Sequence, residues 1–122
     1  NRKLGLRHLE LSTAEWGIAR ELCDQLMILK DATEFFSRGT PNLPAVIPAI
    51  DLIDNHFTDA IRDGNLNPAI RSAMILAKRT LNKYYSLTDD STVYRIAMIL
   101  HPRHKLNYFK EAGWDNDWVK EA

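Results

Sequence analysis

The stretch ILHPRHKLNYF, residues 99–109, gathers the side chains of this chain best suited to chemistry. His101 and His104 stand three apart, Arg103 and Lys105 flank the second, and Tyr108 follows, with Trp114 a little further on. Such a set could form a metal site, an active-site loop, a nucleic-acid contact, or only the corner between two helices. Zinc takes three or four Cys, His or carboxylate ligands, and neither a cysteine nor a second histidine pair lies nearby, so exposed histidines beside a helix corner are the better reading. His8 and His56 are distant in sequence and have no partner motif. Nucleophilic catalysis finds no constellation either. Cys23, the single cysteine, falls within an apolar helical stripe and is expected to be a small buried thiol. The serines sit at caps and turns, and no Gly-x-Ser-x-Gly elbow occurs. Asp51 with Asp54, and Asp59 with Asp63, stand at helical spacing, and such runs are expected on the solvated side. Five isolated glycines make no phosphate-cradling loop.

What remains is the basic corner. Arg103 and Lys105 fall at the start of a helix whose first amides have no intrahelical acceptor, a geometry that suits a phosphate oxygen. Arg95 extends that field, as do Lys78, Arg79 and Lys83, while Tyr108 or Trp114 offers a ring on which an unpaired base could stack. With His104, these define a candidate nucleic-acid set: Arg95, Arg103, His104, Lys105, Tyr108 and Trp114. The competing reading has Arg103 and Lys105 bonding carbonyls and carboxylates of adjoining helices, with the aromatics in the core. From spacing alone this competing reading is the better one.

The elements that would position these residues are helical throughout, because no segment sustains the period-two alternation of a half-buried strand. Ser12-Thr13-Ala14-Glu15 has the pattern of a capping box. After it Ile18, Leu22, Leu26, Leu29, Thr33 and Phe36 recur at three and four, widened by Ala19, Cys23 and Met27. This predicts one long helix closed near Arg38 by Gly39 in the left-handed conformation. A second helix opens at Pro44, is loosely wound around Pro48, carries Val46, Ile50, Ile53, Phe57 and Ile61, and stops at Gly64. Asn67-Pro68 starts a third, with Ile70, Met74, Ala77, Leu81 and Tyr84, out to about Ser86. LTDDS then reads as a turn, and Asp90 or Ser91 caps a short fourth helix with Val93, Ala97 and Leu100 inward. Pro102 forces His101 out of the helical region. A fifth helix, HKLNYFKEA, and a last turn with Trp118 and Val119 complete an all-α, compact antiparallel bundle of about five to six helices.

The chain has 122 residues and 14.0 kDa, enough for one core and too few for two, so residues 1–122 read as a single helical domain. No apolar run approaches a bilayer span and NRKLGLRHLE lacks the apolar centre of a signal peptide, so a soluble, intracellular protein without membrane contact is expected. One cysteine excludes an internal disulfide. The chain opens on Asn1 and not Met, which predicts a segment of something longer. A net charge of zero hides a split. Residues 8–63 hold four Lys/Arg against ten Asp/Glu, a net of −6, and residues 71–110 hold eight against two, a net of +6. Either the halves pack with complementary fields or the basic half faces an anionic partner such as nucleic acid; packing is the expected outcome.

With these features in place, LHPRHKLNYF followed by GWDNDWV resembles the "Leu-Asp-Pro-Arg-x-Lys-Leu-x-Tyr-Phe … Trp" block of hAT-family transposases, the hobo and Activator class. Upstream pieces resemble that family in order: LSTAEWGIARELCDQLMILKDATEFFS its helix with an early Trp, GTPNLPAVIPAIDLI its "Pro-Thr-Leu … Val-x-Pro" segment, and LNKYYS with YRIAMIL its "Leu-x-Lys-Tyr-Tyr … Ala-x-Ile-Leu" run. The likeness extends over nearly the whole chain from Leu11. It implies a ribonuclease-H-like parent enzyme in which three separated acids bind divalent metal, Mg or Mn, with a mostly helical insertion between the second and third. This chain is similar to that insertion, and the catalytic blocks fall outside it. No catalytic residue, metal ligand or cofactor is therefore assigned here. The implied partners are transposon-end DNA, through the parent protein, and further copies of the protein; the implied location is the nucleus. One departure stands out: the family's Asp before Pro is His101, which removes a carboxylate able to pair with Arg103 or Lys105. The alternative is a protein-interaction or dimerisation module from a domesticated transposase, anchored by Trp16, Trp114 or Trp118.

Overall fold

The computed structural model describes residues 9–39, 42–101, 108 and 111. Every regular element among them is helical: α1 (Thr13–Phe36), a 3₁₀ turn (Leu43–Ala45), α2 (Val46–Arg62), α3 (Pro68–Asp89) and α4 (Thr92–Leu100). The described residues contain no strand, in keeping with the all-α class. The expected fifth helix and final turn fall on residues 102–122 and lie outside the described residues, apart from Tyr108 and Glu111, whose backbone is helical.

Local chemistry sets each boundary. At the start of α1, Ser12 Oγ accepts from the Glu15 N–H at 3.3 Å while the Glu15 carboxylate accepts from the Ser12 N–H at 2.7 Å, so both halves of the capping box form. The Ser12 N–H, together with the Ser12 hydroxyl donating to the same carboxylate at 2.7 Å, holds the Glu15 carboxyl below its usual range. The other end departs from expectation: Gly39 keeps an ordinary φ. Ser37, in αR conformation, closes the helix instead, its N–H and its hydroxyl both donating to the Thr33 carbonyl. Pro44 sits in the 3₁₀ turn and Pro48 in the first turn of α2, where amides have no intrahelical acceptor; this is the loosely wound start that the two prolines predict. α2 ends at Arg62, two residues before Gly64, because Asp63 is extended and its carboxylate accepts from the Asn65 N–H at 2.9 Å in an Asx turn. Asn67 caps α3 as expected, its side chain accepting from the Ala69 N–H at 2.9 Å. α3 then runs through LTD to Asp89 and does not turn after Ser86; the Ser86 and Thr88 hydroxyls donate to the Asn82 and Tyr84 carbonyls, which keeps polar side chains helical there. His101, with φ −74° and ψ 129°, ends α4 in the extended conformation imposed on a residue before proline.

α2 is the centre of the molecule. Its Ile53, Phe57 and Ala60 meet Met74 of α3, with Ile28 and Ala32 of α1 and Ala77 and Leu81 of α3 packed around them. Nearer the start of α2, Ile47 and the fully buried Met98 of α4 form a second cluster against Tyr94, Ile99 and Tyr108.

Three expected faces are corrected by this packing. α1 turns the line Ile18, Glu21, Gln25, Ile28 and Ala32 inward, leaving Leu22, Leu26, Leu29 and Phe36 exposed and Cys23 a surface thiol. A bond from the Asn67 N–H to the Glu21 carboxylate, 2.8 Å, ties this line to the start of α3 and fixes the rotation. On α3 it is Tyr85 that is half-buried, while Tyr84 is 59% exposed. On α4 Met98 is inward and Val93 and Leu100 are exposed. The inward line of TVYRIAMIL runs through the half-buried Tyr94 and the buried Met98, one position on from Val93 and Ala97.

Candidate functional site

The polar chemistry of the described residues collects where α2 faces α3. Asp51 of α2 accepts a hydrogen bond from the Tyr108 hydroxyl at 2.5 Å, and Tyr85 of α3 is directed at the same carboxylate. Burial first, then the charge and hydrogen bonding of Asp51, keep both phenols protonated well beyond their ordinary range. One helical step along, Asp54 pairs with Lys78 at 2.8 Å, and Lys78 also donates to the Thr58 hydroxyl. Asp51, Asp54, Tyr85 and Tyr108 border an open cleft of about 560 Å³ whose walls also include Asn55, Asn82 and Glu111.

Asp51, Asp54 and Glu111 give the described part of the cleft wall acceptors for amine or guanidinium donors. The phenols are proton donors here and not nucleophiles, since the state that could attack is the one their surroundings disfavour. Among the described residues no group of three or more His, Cys, Asp or Glu converges as a metal ion requires.

The candidate nucleic-acid residues fall into two groups. Arg103, His104, Lys105 and Trp114 lie outside the described residues. Tyr108 is half-buried against the Ile47–Met98 cluster with its hydroxyl on Asp51, and Arg95 is half-buried on α4 beside Asp89. Burial raises the Asp89 carboxyl above its usual range; Arg95 opposes that shift and Asp90 adds to it. Of the other bases considered, Lys78 is engaged by Asp54, whereas Arg79 and Lys83 are exposed on the face of α3 turned away from α2. Among the described residues one ion pair, Lys78–Asp54, joins the basic half of the sequence to the acidic half, while Lys30–Glu34 lies within α1.

Asp51 and Asp54 are therefore not the solvated carboxylates their spacing predicts, although Asp59 and Asp63 are exposed as expected. The Asp51–Tyr85–Tyr108 assembly was hidden because it unites residues from three separate parts of the chain. The one signal for it is the adjacent pair Tyr84-Tyr85 on a helix, of which only one ring can face the neighbour. No helix among the described residues is long and apolar enough to cross a membrane. No family model, no curated protein and no solved structure matches this chain.

Proposed function

We propose that this chain is the helical, non-catalytic segment of a hAT-type DNA transposase, supporting transposon-end DNA binding and assembly in the nucleus. The observation that carries the reading is the ordered resemblance running from Leu11 to the LHPRHKLNYF block. An all-helical chain suits an insertion between the blocks of a ribonuclease-H-like core, with the full insertion a bundle of five to six helices. The divalent metal chemistry belongs to the acids of that core. We assign DNA contact to the basic corner, Arg103, His104 and Lys105 with Arg95, Tyr108 and Trp114, and not to Lys78, which is paired with Asp54. Anisotropy titrations with hairpin and single-stranded DNA test this. Affinity that falls steeply between about 50 and 200 mM salt is expected, because phosphate contacts release counterions. Absent or salt-insensitive binding counts against the reading.

A second reading, an interaction module of a domesticated transposase, is favoured by α1: none of its 24 residues is buried, and Trp16 is 60% exposed. A tight dimer lost on replacing Trp16, together with no DNA affinity, would select that reading over the first.

A further inference from the structure

α1 rests on its neighbours by the less apolar of its two faces. The line turned inward, Ile18, Glu21, Gln25, Ile28 and Ala32, mixes apolar with polar side chains, and no member of it is fully buried. The Gln25 side-chain oxygen is shut off from solvent without a hydrogen-bond partner among the described residues, an arrangement that native packing usually avoids. One residue further around the helix runs a second line, Leu22, Leu26, Leu29, Thr33 and Phe36, whose four large apolar members remain 36–45% exposed.

The seat has room for that second line. Ala32 of α1 and Ala49 and Ile53 of α2 border two open grooves, one on each flank of the contact. The first, of about 430 Å³, runs past Ile28, Asp31 and Leu52. The second, of about 520 Å³, lies between Leu29, Thr33 and Phe36 of α1 and Val46 and Ile50 of α2. Turning α1 by about one residue step, roughly 100°, rolls the leucine line across this second groove onto α2 and carries Glu21 and Gln25 into solvent. Polar side chains leave the contact and larger apolar ones enter it. What opposes the turn comes from another element: the Glu21 carboxylate accepts from the Asn67 N–H at the start of α3, at 2.8 Å. The capping box of Ser12 and Glu15 turns with the helix and favours neither position.

We infer that α1 is a two-position helix: the Glu21–Asn67 bond latches it with the leucine line outward, and release of that bond lets it turn about its own axis and seat the leucine line against α2. The positions are discrete, because interdigitated side chains offer no stable stop between the two lines. Whatever draws Glu21 from the Asn67 N–H therefore withdraws an apolar surface and presents a polar one. This goes beyond the transposase reading and does not depend on it.

The test reads thiol reactivity in the 122-residue chain with Cys23→Ser, which removes an exposed thiol. One version carries Gln25→Cys, on the inward line, and another Leu26→Cys, on the leucine line. With Glu21 in place the position-26 thiol is expected to react faster than the position-25 thiol. Adding Glu21→Ala is expected to slow the former and speed the latter, each by roughly tenfold, the scale on which losing a charge-assisted hydrogen bond shifts an equilibrium. Adding Leu29→Glu as well, a charge the apolar seat does not accept, is expected to restore the original order. Thiols that both become fast, that both slow, or that keep their order in Glu21→Ala overturn the inference, as does an exchange that persists with Leu29→Glu. If Glu21→Ala loses its helical circular dichroism, Glu21→Gln, which keeps the shape and gives up the charge, is read in its place and must show the same exchange.

Discussion

Asp51 links α2 to residues far along the chain, accepting from Tyr108 and facing Tyr85. Replacing it with Ala removes the Tyr108 bond and the acceptor that Tyr85 faces, and a loss of about 1–3 kcal/mol is expected in urea unfolding. The same assembly makes stability depend on alkaline pH. An unfolded tyrosine ionises near pH 10, whereas Tyr85 and Tyr108 keep their protons beyond that in the folded chain. Their contribution is complete below about pH 10 and is lost as pH rises through the folded values. Stability measured from about pH 9 to 12 should fall in wild type and fall less in Tyr85→Phe/Tyr108→Phe. Sequence could not reveal this chemistry, because Asp51 and Asp54 carry the spacing of a solvated face. Only the fold brings Tyr108, 57 residues away, onto that carboxylate.

For the elements, sequence was informative about existence and poor about rotation. Ser12 with Glu15, Asn67-Pro68 and His101-Pro102 act through the backbone next to them, so their boundaries follow from local chemistry. Gly39 and Gly64 failed as stop signals because Ser37 and Asp63 had already ended the helices. Which face of α1 turns inward was settled by a distant bond, Asn67 N–H to Glu21, that no periodicity contains. The consequence is a contrast between two large apolar residues. Phe57→Ala, in the α2–α3 core, should destabilise by about 3–5 kcal/mol, while Leu26→Ala, 45% exposed on the regular stripe of α1, should change stability by no more than about 0.5 kcal/mol. Chemical denaturation of the pair checks this, and equal losses would place the stripe in the core after all.

Across the whole molecule the charge split is the dominant feature. Lys78–Asp54 is the one ion pair that joins the two halves among the described residues. The residues proposed to meet DNA, Arg103 and Lys105, follow His101-Pro102 in the sequence and lie outside the described residues. The most direct measurement is a labelled DNA hairpin incubated with the chain and Mg²⁺ at low salt, followed on native and denaturing gels. Hairpin that is retarded yet uncut, and released by Arg103→Ala/Lys105→Ala, is the expected result. Hairpin that migrates freely, or is cleaved, would contradict the assignment of a DNA-binding, non-catalytic transposase segment.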